Sequence, residues 1–184
     1  MLEKGARIFR RSRRAAPPVI VLDDLFVLDR WLPRDASAHR RFALDPDAAR
    51  FFGWTVDQAR SAPDSHYDEV IIRFAREWHA GTRFSLAIRR CSDGEAVGSV
   101  ELRPSGREAD VSYIVAPELR GQGLASRALE ALIAWGTREL ELQCVNLACH
   151  IDNTGSRRVA EKCGFILVCR EGGELRFRRE TMPP

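Results

Sequence analysis

Between Tyr113 and Leu132 the chain reads YIVAPELRGQGLASRALEAL: an apolar strand, a loop with two glycines, and the opening of an amphipathic helix. The first N–H groups of a helix have no partner within it, and the helix dipole places partial positive charge there. Gly121 and Gly123 carry no side chain, so a diphosphate can approach that backbone closely. Arg120 adds a cationic donor beside them, and Gln122, Leu124, Ala125 and Ser126 complete the turn into the helix. Three loop types fit such an arrangement. A P-loop is excluded, because no Gly-Lys-Ser/Thr follows. A dinucleotide fingerprint accounts for Gly121 and Gly123, and Glu141 lies near the distance of a ribose-binding acid. Ser126 replaces its third glycine, however, and only about sixty residues follow, too few for a doubly wound sheet. The third is R-x-x-G-x-G/A, matched by Arg120, Gly123 and Ala125.

The surrounding periodicity indicates an α/β (α+β) chain. Residues Val19 to Leu32 read as one or two strands broken at Asp23-Asp24. Asp35 to Ala59 reads as one or two short helices interrupted at Pro46. From His66 to His79 apolar residues recur at helical spacing, and Gly81 supplies a stop. Then alternation takes over: FSLAIRR, AVGSVELR and ADVSYIV read as three strands joined by turns. A helix from about Gly123 to Glu141, a strand VNLACHI, a short helix from Ser156 to Cys163 and a strand pair around Gly172-Gly173 complete the chain. Helices, an antiparallel meander and one strand–helix–strand crossover predict a mixed, mostly antiparallel central sheet flanked by helices.

The loop RGQGLA after a strand resembles the CoA-pyrophosphate loop of the GNAT acetyltransferases. About thirty residues later HIDNTGSRRVAEKCGF is similar to that family's N-x-x-S-x-x-x-x-E-K-x-GF segment, with Asn153, Ser156, Glu161, Lys162, Gly164 and Phe165 in its positions. The resemblance covers about residues 80–180. The leading LFVLDRWLPRDA is more loosely like the branch containing ribosomal-protein N-terminal acetyltransferases. It implies a GNAT-like fold and transfer of an acetyl group from acetyl-CoA to a primary amine by direct attack. The amine is a protein N-terminal α-amino group or a small molecule, with polyamines and aminoglycosides open. It also implies that acetyl-pantetheine lies along Tyr113, Ile114 and Val115, where a bulge would free a backbone N–H to polarise the thioester carbonyl. Asn153 corresponds to a pantetheine contact, and Ser156 to a position near the CoA sulfur.

Such a transfer needs a group to take the amine proton and one to protonate the leaving thiolate. Two acids are candidates for the first task. Alternation in VGSVELR puts Val97, Ser99 and Glu101 on one strand face, and Asp110 opens the next strand. Glu101 is favoured narrowly, acting through water. Ser156 is the candidate acid, and equally a helix N-cap. The tyrosine often present later in the family's short helix is absent. Phe51, Phe52 and Trp54 either line the acceptor pocket or pack the core.

Composition narrows the alternatives. Residues 1–18 hold Lys4, Arg7, Arg10, Arg11, Arg13 and Arg14 against Glu3, while the whole chain carries +3, so the basic character belongs to a flexible tail. The acetyltransferase domain is expected over 19–184. No interleaved aromatics or motif indicate nucleic acid as a partner. No apolar run suits a membrane span or a signal peptide, and a cytoplasmic monomer or homodimer is expected. Five cysteines without C-x-x-C spacing indicate reduced thiols and no metal. A non-catalytic CoA-binding or regulatory module is the alternative function.

Overall fold

The structure, a computed structural model, describes residues 16–181, so nearly all of the basic stretch 1–18 lies outside the described residues. Eight strands form one sheet, ordered β1 (Ile20–Val21), β2 (Phe26–Asp29), β3 (Phe84–Arg90), β4 (Ala96–Ser105), β5 (Glu108–Val115), β6 (Cys144–His150), β8 (Glu174–Glu180) and β7 (Ile166–Glu171). Every neighbouring pair is antiparallel except β5 and β6, which are parallel. The crossover between those two is α5 (Leu124–Leu140). This is the mixed sheet the periodicity predicts. The break after β1 has a local cause: the Asp23 carboxylate accepts from the N–H groups of Leu25 and Phe26 at 2.8 and 2.9 Å.

The segment expected to hold one or two helices holds three: α1 (Ala36–Ala43), α2 (Pro46–Phe52) and α3 (Val56–Ser61). Pro46 starts a helix instead of interrupting one. A proline in the first turn gives up only an N–H that has no helical partner, and its φ already suits the helix. Asp45 caps α2 by accepting from Asp47 N–H, and Gly53 ends it at φ 84°. The long helix α4 (Asp64–Ala80) buries Val70, Ile71, Phe74 and Trp78 and stops at Gly81 with φ 71°.

Phe84, Leu86, Ile88, Val100 and Leu102 are fully buried in the sheet, each contributing roughly 1.5–3 kcal/mol of burial. Helix α5 lies directly on that face. A Cβ at Gly136 would stand 2.7 Å from Leu102 Cδ1, so only glycine lets helix and strand approach so closely. On the opposite face Arg89 is buried against Asp35 at 2.8 Å, which anchors the start of the helical segment to β3. All five cysteines are free. Among the described residues no helix is long and apolar enough to cross a membrane, and no group of three metal-type ligands converges.

Candidate active site

The site follows from one discontinuity in the sheet. Strands β5 and β6 pair only at Glu108↔Cys144, Ala109↔Val145 and Asp110↔Asn146. Beyond that β5 stays with β4 as far as Val115, while β6 stays with β8 as far as His150. The two strands therefore part, opening a cleft of about 1130 Å³ lined by Asp110–Val115, Leu147–His150, the glycine loop, α6 (Thr154–Lys162) and α2.

The backbone of β5 is already aimed into this cleft. Ala116 N–H donates to Val97 O at 2.9 Å, which fixes the alternation of the antiparallel ladder. Ser99/Ile114 and Glu101/Ser112 are then hydrogen-bonded pairs, and the polar groups of Tyr113 and Val115 point away from β4. Val115 O accordingly accepts from Arg120 Nε at 3.1 Å. The bulge expected in β5 is not there, since its register with β4 runs unbroken from Gly98↔Val115 to Ser105↔Glu108. Divergence of β6 exposes those N–H groups instead.

At the end of β5, Gly121 and Gly123 both adopt φ 76°, a left-handed conformation that favours glycine, and Gly123 is the N-cap of α5. Nothing lies within 4 Å of where a Cβ at Gly121 would stand, so the loop backbone is open to a ligand. Gln122 is exposed and its amide donates to Glu118 O, whereas Leu124 and Ser126 are buried and Ala125 partly so. Arg120 differs from expectation: its guanidinium is held by Asp45 and Asp47 of the α2 N-terminus, with Nη1 3.0 Å from Asp47. It thus ties α2 to the loop. Two cations stand beside the loop: Lys162, whose Nζ would lie 3.2 Å from a Cβ at Gly123, and Arg127, whose Nη1 would lie 3.5 Å from it but donates to Gln122 O and whose Nε pairs with Asp23 at 3.1 Å. Lys162 and Arg158, one turn apart on α6, both line the cleft without an ion-pair partner among the described residues. Sequence reasoning assigned neither a role, although their i,i+4 spacing puts them on one helix face.

Deeper in the cleft, Asn153 is the cap of α6 and accepts from Ser156 N–H at 2.9 Å. Ser156 is therefore not the cap. Its Oγ instead accepts from the Tyr113 hydroxyl at 2.9 Å. Burial pushes Tyr113 well above the usual phenol range, against the opposing pull of its bond to Ser156. Burial also raises Cys149. Both groups stay protonated near neutrality.

The two candidate bases lie in different settings. Asp110 is exposed and lines the cleft, and its carboxylate has no hydrogen bond or ion pair among the described residues. Glu101 does not line the cleft. Ser85 Oγ donates to its Oε1 at 3.3 Å and Arg103 Nη1 to its Oε2 at 3.0 Å, within a network that includes Ser112. Glu174, which sequence reasoning missed, also faces the cleft but pairs with Arg176 at 3.1 Å. His150 Nδ1 accepts from Asp152 N–H at 3.1 Å, which occupies the nitrogen that a neutral imidazole would use as base.

The remaining wall is α2. Asp47, Ala48, Phe51 and Phe52 face the cleft, while Trp54 stacks on Phe52 at 5.4 Å and donates to Ala43 O. Arg50 reaches across to Asp152 at 2.7 Å, and the Phe51 ring lies 6.1 Å from that of His150.

A family model described as acetyltransferase (GNAT) domain matches residues 26–166. A putative ribosomal N-acetyltransferase of Bacillus subtilis, YdaF, is 34% identical over 137 residues, 73% of this chain and 74% of that protein. The ribosomal-protein-serine acetyltransferase of Escherichia coli is 33% identical over 78 residues, 41% of this chain and 44% of that protein. Among solved structures, RimL, a ribosomal L7/L12 α-N-protein acetyltransferase in complex with coenzyme A, is similar with a TM-score of 0.76 at 17% identity, covering 89% of this chain and 98% of that one.

Proposed function

From the premise that the chain belongs to the GNAT acetyltransferase family and transfers acetyl from acetyl-CoA to an amine, we propose that its acceptor is the α-amino group of a cytoplasmic protein. The observation that carries the site assignment is the cleft where β5 and β6 part, continuous with an open glycine loop at the N-terminus of α5. Acetyl-CoA supplies the activated acetyl group. The backbone of Arg120 to Ser126 receives its diphosphate, with Lys162 as the nearby cation. The N–H groups of Tyr113 and Val115 hydrogen-bond pantetheine and polarise the thioester carbonyl beside Ile114, and Asn153 borders the same path.

Ser156 faces the leaving sulfur as proton donor. Asp110 takes the amine proton: it is a cleft carboxylate with no cation to hold it, whereas Glu101 is engaged by Arg103 and two serines. Ribosomal-protein acetyltransferases among the relatives support a protein acceptor, and α2 with Phe51 and Phe52 forms the wall such a chain terminus would meet. The test is mass spectrometry of a mixed panel of N-terminal peptides, polyamines and aminoglycosides incubated with enzyme and acetyl-CoA. A peptide acetylated at its α-amino group is the expected product. Acetylation confined to the small amines would contradict the acceptor assignment.

A further inference from the structure

We infer that Tyr113 is a positioning residue for the transfer step: its hydroxyl, held against Ser156, directs the serine proton towards the departing sulfur. This rests on the reading of Ser156 as proton donor. A serine hydroxyl has one proton and two acceptor lone pairs. The Tyr113 hydroxyl donates to Ser156 Oγ at 2.9 Å, so one lone pair is taken. Asn153 caps α6 through the Ser156 backbone N–H, so capping makes no demand on the side chain. With the Tyr113 hydroxyl donating to it, the serine oxygen keeps its own proton for the open side, which is the cleft.

The consequence for the reaction is direct. As the carbon–sulfur bond breaks and its electron pair passes to sulfur, Ser156 gives its proton to that sulfur. The Tyr113 hydroxyl meets the negative charge left on Oγ. Solvent then reprotonates Ser156, and the proton that Asp110 takes from the amine returns to solvent, so protons balance over one turnover. The tyrosine missing from the short helix is thus replaced in effect by one on β5, reaching the same helix across the cleft.

The experiment compares Tyr113→Phe, Ser156→Ala and the double variant. Phenylalanine keeps the ring and removes only the hydroxyl. Ser156→Ala should lower kcat ~10²-fold. Tyr113→Phe should lower it ~10-fold with KM for acetyl-CoA within ~2-fold, and the double variant should be no slower than Ser156→Ala alone. A second readout is independent of turnover. In the CoA complex, the thiol should ionise about one pH unit higher in Tyr113→Phe than in the unaltered protein, followed by ultraviolet thiolate absorbance. Normal turnover in Ser156→Ala would overturn the reading of Ser156, and the inference with it. Impaired Ser156→Ala with unaltered kcat and thiol titration in Tyr113→Phe would overturn the inference alone. So would a Tyr113→Phe loss that persists undiminished in the Ser156→Ala background.

Discussion

On one side of the cleft β5 is held along its whole length by the β4 ladder and by α5 behind it, whereas on the other α2 is held by side chains. The first wall presents backbone: the N–H groups of Tyr113 and Val115 and the turn at Gly121 to Gly123. The second presents Phe51 and Phe52 and is tethered by Arg120 to Asp45 and Asp47, and by Arg50 to Asp152. A ligand shared by many enzymes can be recognised by backbone N–H groups, which no substitution but proline removes. An acceptor that differs between enzymes is better met by a short helix whose tethers and side chains change without disturbing the sheet. The two walls should therefore fail in different ways.

Between the two walls, the larger effect is expected from a displacement of the backbone wall. A Cβ at Gly98 would stand 2.5 Å from Ile114 O and 3.0 Å from Ile88 Cδ1, so Gly98→Ala must push β5 out of register with the cleft. Overpacking of this kind costs about 1–3 kcal/mol, and melting should fall by several degrees. Affinity for acetyl-CoA should fall with it, by ~10-fold or more, when followed by calorimetry. A variant that melts lower but binds acetyl-CoA normally would show that the position of β5 is not what the cofactor reads.

The smallest effect belongs to the tether on the other wall. Arg50 and Asp152 are both more than half exposed, and such pairs contribute about 0–1 kcal/mol. Arg50→Ala should leave melting and acetyl-CoA affinity nearly unchanged. It should raise KM for a peptide acceptor about threefold, because α2 no longer holds its place beside the β6–α6 turn. A change in acetyl-CoA affinity larger than that in the acceptor KM would dissolve the distinction between the two walls.

The two walls also differed in how far sequence alone described them. The strand, glycine loop and α5 were legible because each signal is local: alternation to Val115, two glycines, then a helical stripe of Leu124, Ala128, Leu129 and Leu132. The helices before α4 were counted short because Pro46 reads as a break in periodicity, and only the cap at Asp45 shows it to be a start. The role of Arg120 was not legible, since the Asp45 and Asp47 that hold it lie far away in the chain. Tyr113 and Ser156 were each singled out, but their contact depends on where α6 docks, which no spacing reveals. The same holds for Glu101, whose partners Ser85 and Ser112 sit on the two neighbouring strands.

The central claim, that acetyl-CoA binds where β5 ends and α5 begins, is tested most directly by calorimetric titration of acetyl-CoA into Gly123→Val. That position has φ 76° and caps α5, with Lys162 Nζ at 3.2 Å from the site of a Cβ. A branched side chain there enters the space proposed for the diphosphate. The account predicts a folded protein, by circular dichroism, whose affinity for acetyl-CoA is ~10²-fold weaker. A folded Gly123→Val protein with unaltered affinity would contradict it.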